Sequence, residues 1–304
     1  MFTRRHFLST SLGALGVTTS LQAIGPIQRP GKSRMQLGVA AYSFRKHFQW
    51  MKDKEQTVPE GREPWSILDF VDWCADQGVP GAEVTSYFFP PDVDDAFCLE
   101  LRRRAYLRGV QLCGTAVGNT WTDGPGPQRD EQIAYVKRWT DLSAVMGAPH
   151  IRVFAGKLPK GMSEEEALKN CASAYQECLD YAATKGVFLG LENHGGIVER
   201  PENLLTLVNG AQSEWAGINF DSGNFRTEDP YGDLEKIAPY AVNVQLKLDI
   251  KKPDGTTEAS DVDRVLDILR QANYQGWFTL EYERDDDPFT EVPKVLEMLK
   301  AKLA

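Results

Sequence analysis

The sequence lacks a basic run, an aromatic RNA-binding motif and a hydrophobic stretch long enough to span a membrane stably. Asp and Glu number 43 against 34 Lys and Arg, so the 304-residue chain has a net charge of −9 and a pI near 5.1. Nucleic acid and anionic membrane surfaces attract basic proteins, and this chain is acidic. We therefore predict no nucleic-acid partner and no integral membrane anchor.

The cysteines show no metal-binding or redox spacing. The chain has five, an odd number, and none forms a Cys-x-x-Cys pair: Cys74, Cys98, Cys113, Cys171 and Cys178. Cys171 and Cys178 are seven residues apart in a helical pattern, which places them two turns from each other and too far apart to bridge. The pattern predicts buried free thiols.

The N-terminal stretch "TRRHFLST" places Arg4 and Arg5 just before a mildly apolar segment, Phe7 to Ala23. That segment is short and rich in Ser, Thr and Gly, so it resembles a twin-arginine export signal and not a membrane span. It predicts a signal peptide and short linker over residues 1–30, engagement of the twin-arginine export machinery, and a periplasmic protein exported folded. The alternative is a frayed helix with two chance arginines.

Strand-like and helix-like segments alternate from Gln36 to the end. Short apolar runs occur at 36–43, 81–85, 110–117, 149–154, 187–192, 215–221, 241–248 and 276–281. Amphipathic stretches lie between them, and several end in glycine, as helices often do. With 42% hydrophobic and 25% charged residues and no composition break, the pattern predicts one α/β domain over residues 31–304, a (β/α)8 TIM barrel.

The first strand is followed by a long loop, Ser43 to Trp65. Barrel enzymes build their sites from the loops after the strands, so its aromatic residues are compatible with a lid over the barrel mouth. The alternative, equally open, is a surface loop whose aromatics pack against the barrel.

Side-chain alternation sorts strand residues into those facing the barrel lumen and those facing the helices. Four polar residues at the ends of successive strands share the lumen face: Glu192, Asp221, Gln245 and Glu281. Three carboxylates in one mouth would repel each other and raise some of their pKa values, and a divalent cation would relieve this conflict. The alternative is a salt-bridge network with Arg152, Lys247 and Arg226.

Residues 36–302 resemble the xylose isomerase-like barrels, often labelled sugar phosphate isomerase/epimerase. The resemblance rests on "LGVAAYSFR", "GAEVTS", "HIRVFAG", "GLENHGG", "INFDSGN", "NVQLKLD" and "FTLEYE". It implies one divalent metal held by Glu192, Asp221 and Glu281, with Gln245 at the position where the family usually has histidine. An amide oxygen there leaves only hard oxygen donors, which favour Mn²⁺, Mg²⁺ or Ca²⁺ over Zn²⁺ or Co²⁺, and we predict Mn²⁺ or Mg²⁺.

The resemblance also implies that Glu192 and Glu281 move a proton between carbons next to a sugar carbonyl. His194 shares their face, so we predict that it binds substrate or acts as an acid/base, the alternative being a hydrogen bond to a ligand carboxylate. Four more residues are predicted to bind substrate: Glu83, Arg152, Lys247 and Asn224. His150 starts its strand and is interpreted as structural.

The predicted function is a metal-dependent isomerase or epimerase of a sugar or keto-sugar, acting through an enediolate. No Gly-rich phosphate cradle is visible, which argues against a phosphorylated substrate. Two alternatives stay open: a metal-dependent lyase or hydrolase that cleaves an oxidised glycoside, and a non-catalytic periplasmic sugar-binding protein. The sequence leaves the sugar and the oligomeric state open.

Overall fold

The computed structural model describes residues 25–304 and contains a closed barrel of eight parallel strands. We number the barrel strands β1 to β8 in chain order, and each pairs with the next until β8 pairs with β1. Their bounds are β1 Arg34–Ala40, β2 Gly81–Thr85, β3 Gln111–Ala116, β4 His150–Val153, β5 Phe188–Glu192, β6 Ala216–Asp221, β7 Ala241–Leu246 and β8 Gln275–Leu280. The eight predicted strands are thereby confirmed, and with them the (β/α)8 barrel fold.

A helix follows each strand and packs on the outside of the barrel. The helices are α1 Ile67–Asp76, α2 Asp95–Leu107, α3 Pro127–Met146, α4 Glu164–Lys185, α5 Pro201–Gly210, α6 Pro230–Ile237, α7 Val262–Gln271 and α8 Pro288–Leu303. Several helices begin at an N-cap residue whose side chain accepts a hydrogen bond from a free backbone N–H group of the first turn. Ser66 has this role in α1 and Ser163 in α4. Glycines in left-handed conformation, Gly147 and Gly186, end α3 and α4.

The register between strands decides which side chains share the lumen. Asp221 of β6 lies opposite Gln245 of β7, which in turn lies opposite Thr279 of β8. Neighbours in register in a parallel sheet point to the same face, so the polar set predicted from alternation does face one lumen. The residues of opposite parity, such as Leu191 and Val244, are fully buried in the layer between barrel and helices.

The long loop after β1 is anchored by its aromatic side chains. Phe44 and Phe48 are fully buried, and Phe48 stacks on Phe88 with ring centroids 4.2 Å apart. Phe44 packs edge-on against Trp73 of α1 at 4.6 Å. The second of the two interpretations is therefore confirmed for these rings: they close the barrel rim and do not lie free as a lid.

The predicted export signal falls largely on residues 1–24, which lie outside the described residues. The segment that follows is bound to the N-terminal end of the barrel: the Ile27 N–H donates to Pro239 O at 2.9 Å, and Asn273 donates to Arg29 O at 2.8 Å. Within residues 25–304, no helix is long and apolar enough to cross a membrane. All five cysteines are buried and free, as predicted.

Gly190, in the middle of β5, leaves room for a buried histidine. A Cβ at this position would lie 2.3 Å from His150 Nε2 and 3.1 Å from the Asn219 backbone nitrogen. His150 is buried at the base of the lumen, where burial and the charge of Arg152 lower its pKa to about 3. Its neutral ring fills the space beside Gly190, which agrees with the structural role predicted for it.

We expect Gly190→Ala to lower the free energy of unfolding by about 1–3 kcal/mol, because the added methyl group overpacks the lumen beneath Glu192. Urea unfolding followed by circular dichroism measures the change. The matched control is Gly210→Ala at the exposed end of α5, where an added Cβ meets nothing within 4 Å. Equal stability of the two variants would show that the contact with His150 does not constrain the strand.

Candidate active site

The candidate site lies at the C-terminal end of the barrel, where four acidic side chains meet two basic ones. Glu192 ends β5 and Asp221 ends β6. Lys247 follows β7 directly, Glu281 follows β8 directly, and Glu283 lies two residues further on. All but Glu283 are buried. The alternation of strand side chains accounts for this convergence, because each residue has lumen parity at the end of its strand.

The Lys247 ammonium group lies at the centre of the carboxylates. Its Nζ is 2.9 Å from Glu281 Oε2, 2.9 Å from Glu283 Oε2 and 3.2 Å from Asp221 Oδ2. Burial alone would disfavour the charged lysine, but Asp221, Glu281 and Glu283 outweigh burial and raise the pKa of Lys247 well above its usual value. Lys247 is therefore charged across the whole neutral range.

Arg152 and Asn224 hold the Glu192 carboxylate from two sides. Arg152 Nε is 3.0 Å from Glu192 Oε2, and Asn224 Nδ2 donates to Glu192 Oε1 at 2.7 Å. The Arg152 guanidinium also lies over the Phe154 ring, 3.9 Å from its centroid. Glu192 is thus fixed in orientation, with both carboxylate oxygens engaged.

Beneath this cluster, a buried hydrogen-bonded layer crosses the lumen. Gln245 donates to Glu83 Oε1 and accepts from Asn219 Nδ2 at 2.7 Å. Asn243 Nδ2 bonds both Glu83 Oε2, at 3.0 Å, and Asn219 Oδ1, at 2.9 Å. Glu83 is fully buried among these amides, so the structure places this predicted substrate ligand in the floor of the site.

Burial and mutual repulsion raise the pKa values of three of these carboxyl groups, and for Asp221 the pKa lies well above its usual value. Burial, with the charge of Glu281 added, raises the pKa of Glu83 to about 8. Burial also raises the pKa of Glu192 to about 7, because Arg152 offsets only part of the burial effect and Glu281 adds to it. Glu192 is consequently poised to exchange a proton near neutral pH.

His194 lies apart from the carboxylates, on the loop after β5. Its ring packs against Phe154 with centroids 4.2 Å apart, and both residues line a cavity of about 450 Å³. Enclosure beside Phe154 and the charges of Arg152 and Lys247 lower the pKa of His194, although one edge stays exposed. Within residues 25–304, no hydrogen bond or ion pair joins it to Glu192, and it is neutral at pH 7.

The barrel topology and its sequence motifs match a known family. The sequence profile described as the xylose isomerase-like TIM barrel matches residues 71–302. The chain belongs to the xylose isomerase-like TIM barrel family. This membership confirms the resemblance carried by the strand-end motifs.

An inosose dehydratase of Glaesserella parasuis serovar 5 (strain SH0165) is 26% identical to this chain, over 83% of the chain and 91% of the relative. Among solved structures, D-allulose 3-epimerase from Methylomonas sp. superposes with a TM-score of 0.68 at 18% identity, over 88% of this chain and 98% of that one. The 3-keto-D-glucoside 4-epimerase YcjR from E. coli superposes with a TM-score of 0.64 at 16% identity, over 88% of this chain and 100% of that one. The two structures share the fold of this xylose isomerase-like barrel.

The donor set implied by the family does not fit a divalent metal here. Both ends of the Gln245 amide are bound within the floor, and both oxygens of Glu192 have protein partners. Asp221 Oδ2 has no hydrogen bond, but its ion pair with Lys247 occupies it. Among the described residues 25–304, no group of three His, Cys, Asp or Glu side chains is arranged to hold a metal ion.

The structure therefore resembles the salt-bridge alternative more closely than the metal centre. Arg152 and Lys247 form the expected ion pairs, whereas Arg226 makes none at the mouth within the described chain.

Sequence reasoning missed three residues that hold the site: Asn193, Asn219 and Phe154. Asn193 clamps β6 by accepting from Asp221 N and donating to Asp221 O, both at 2.9 Å. No sequence signal marks this contact, since Asn193 has the opposite parity.

We expect Lys247→Met to lower the free energy of unfolding at pH 8 by about 3–5 kcal/mol, because it leaves Asp221 and Glu281 buried without a cation. The loss shrinks as the pH falls toward 5, because burial raises the pKa of Asp221 and its protonation removes that charge. Urea unfolding at the two pH values measures both effects. Lys236→Met, which removes a half-exposed lysine paired with Glu202 and Asp233, is the control and should change stability little. A pH-independent loss would contradict the ion-pair explanation.

Proposed function

We propose that this protein is an enzyme that moves a proton at the carbon next to a carbonyl group of a sugar or keto-sugar, as an isomerase or epimerase. The observation that supports the proposal is the pair of carboxyl groups, Glu192 and Glu281, held in one barrel mouth between two cations. Active sites of barrel enzymes lie at this end, and general acid/base catalysis needs a group whose pKa lies near the working pH.

In this proposal Glu192, as carboxylate, removes the proton from the carbon next to the carbonyl. The C–H electron pair forms the C=C bond of an enediolate, and the carbonyl oxygen takes the negative charge. Glu281, acting as the acid, gives a proton to the neighbouring carbon, while the hydroxyl proton of the first carbon passes to the former carbonyl oxygen and a new carbonyl forms there, or it gives the proton to the other face of the same carbon and the original carbonyl re-forms. The first outcome is isomerisation and the second is epimerisation. The proton held by Glu192 then exchanges through solvent, which restores both carboxyl groups.

The charge that develops on the substrate oxygen needs a cation nearby, and Arg152 and Lys247 are the candidates predicted from sequence. A divalent Mn²⁺ or Mg²⁺ would supply the same stabilisation in the family pattern. Because the predicted ligands are engaged by protein groups, no step of this proposal passes through a metal. Asn224 keeps Glu192 oriented, and Glu83 supports the site from below.

The cavity beside His194 and Phe154 supports a substrate with an extended carbon skeleton or a second ring. Its lining contains both apolar and polar groups, with Thr120, Asp123, Lys157 and Leu158 among them. Sugars bind in this way, with an apolar face on an aromatic ring and hydroxyl groups on polar side chains. His194, neutral at pH 7, is proposed to bind a substrate hydroxyl there.

A second candidate is a lyase, and the relatives favour it. The G. parasuis relative is named an inosose dehydratase and aligns over nearly its full length. A dehydratase begins with the same proton abstraction next to a carbonyl and then expels the neighbouring oxygen as water. A third candidate is a protein that binds a sugar and catalyses no reaction. In all three cases the proposed partner is a small carbohydrate, and the proposed location is the periplasm, reached by the twin-arginine route.

We expect the protein to exchange the proton next to the carbonyl for deuterium in D₂O, followed by proton NMR on D-allulose, an inosose and a 3-keto-D-glucoside. Glu192→Gln should slow exchange by about 10²–10⁴-fold, because the amide cannot accept the proton. Glu235→Gln, on the exposed face of α6, is the matched control and should keep the wild-type rate.

Product mass separates the candidates in this assay: an unchanged mass supports an isomerase or epimerase, and loss of one water supports the dehydratase. Binding of these sugars with no exchange in any of them would leave only the sugar-binding protein.

We expect kcat to rise with pH through about 7, because Glu192 must lose its proton before it can act as a base. Below that point the rate should change by about tenfold per pH unit. In Arg152→Met the midpoint should move to higher pH, since the arginine charge that lowers the pKa of Glu192 is gone. Initial rates between pH 5 and 9 measure both profiles. A midpoint that stays in place in this variant would assign the titration to another group.

A further inference from the structure

We propose that the Lys247 ammonium group permanently occupies the position at which the family arrangement would hold a divalent cation, so that this chain binds no catalytic metal. The inference rests on the proposed function for its catalytic meaning, but its structural part concerns the cluster alone. The reason begins with position: Lys247 Nζ lies within 3.2 Å of Asp221 and 2.9 Å of Glu281, two of the three carboxylates implied as metal ligands. A dication between the same oxygens would meet a unit positive charge at contact distance.

The neighbouring backbone holds Lys247 in this place. Ser222 Oγ accepts a hydrogen bond from the Lys247 backbone N–H at 2.8 Å. Gly223 makes room for the aliphatic part of the side chain, because a Cβ on Gly223 would lie 2.9 Å from Lys247 Cβ and 3.1 Å from Cδ. Each residue of the stretch "DSGN" has a part in this arrangement. Asp221 pairs with the ammonium group and Ser222 binds the Lys247 backbone. Gly223 leaves room for the lysine side chain, and Asn224 orients Glu192.

The second reason is the fourth donor position. Gln245 has replaced the usual histidine, and its amide is committed to Glu83 and Asn219. Lys247 lies two residues further along with the same lumen parity, so it enters the mouth directly above Gln245. Lys247 stands at the position of the lysine in the family's seventh-strand motif, so the departure in this chain is Gln245. The exchange of histidine for glutamine removes a metal ligand, strengthens the floor and leaves Asp221 and Glu281 to the ammonium group.

In the proposed reaction the ammonium group has a donor available for substrate. Of its three carboxylate partners, Glu283 is the one with a 41% exposed side chain. A substrate carbonyl oxygen can replace Glu283 on Lys247, while Asp221 and Glu281 keep the ammonium in position. As the proton passes to Glu192, the negative charge on that oxygen is stabilised by an N⁺–H hydrogen bond. No bond to metal and no external co-reactant is required.

The test uses the full chain after exhaustive dialysis against EDTA. We expect titration calorimetry with MnCl₂ and with MgCl₂ to show no binding, and the melting temperature to stay constant when either salt is added. Deuterium exchange into the substrate should persist in the presence of EDTA. Binding of one Mn²⁺ or Mg²⁺ per chain, or exchange that EDTA abolishes and MnCl₂ restores, would overturn the inference and leave the proposed function intact.

Two variants test why the chain binds no divalent metal. Gln245→His combined with Lys247→Met restores the family donor and removes the competing charge, so it should gain Mn²⁺ binding and a melting temperature that rises by several degrees with MnCl₂. Lys247→Met alone is the matched control and should not bind Mn²⁺ tightly, because Gln245 stays bound to Glu83 and Asn219 and supplies no fourth donor. Tight Mn²⁺ binding by this single variant would contradict the role given to Gln245.

The metal titration separates the two hypotheses. If neither MnCl₂ nor MgCl₂ binds and no substrate exchanges with or without either salt, the proposed function fails while the lysine-centred cluster stands. If exchange occurs only with bound Mn²⁺, the function stands and the inference fails.

Discussion

The ion pairs of Lys247 with Asp221 and Glu281 are the interaction around which the barrel mouth is arranged. Burying several carboxylates together is costly unless cations and hydrogen bonds accompany them. Lys247 and Arg152 supply the cations, at 2.9–3.2 Å from their partners. The remaining features of the mouth follow from this requirement: Ser222 and Gly223 hold the lysine, and Asn224 holds the free oxygen of Glu192.

The layer of Glu83, Gln245, Asn219 and Asn243 gives this charged mouth a rigid floor. Its members satisfy one another with hydrogen bonds of 2.5–3.0 Å, so few of their polar groups are left buried without a partner. Glu83 is easiest to accommodate in its neutral form, and burial raises its pKa to about 8 accordingly. At pH 7 a largely neutral floor therefore lies below a charged mouth.

Much of this site could be predicted from alternation within strands. Glu192, Asp221 and Glu281 were placed in one mouth because each has lumen parity near the end of a strand, and the register confirms that placement. The partner of each carboxylate could not be predicted in the same way. Parity predicts which face of the sheet a side chain occupies, but it predicts neither its rotamer nor how far it reaches. Lys247 could therefore have pointed to solvent, and the Gln245 amide oxygen could have pointed into the mouth. The clamp between Asn193 and Asp221 crosses two strands and leaves no trace in the spacing of either.

The sequence by itself determined the closed barrel, the eight strand–helix pairs, the free buried cysteines and the end of the barrel that holds the polar groups. These properties depend on local periodicity, helix caps and the alternation of side chains, all of which can be identified from the order of the residues. Only the tertiary structure decided that Lys247 lies among the carboxylates, that Gln245 belongs to the floor and that His194 stands beside Phe154. Those outcomes depend on distances between side chains from different strands, where a shift of about one ångström decides whether an oxygen meets an ammonium group or an amide.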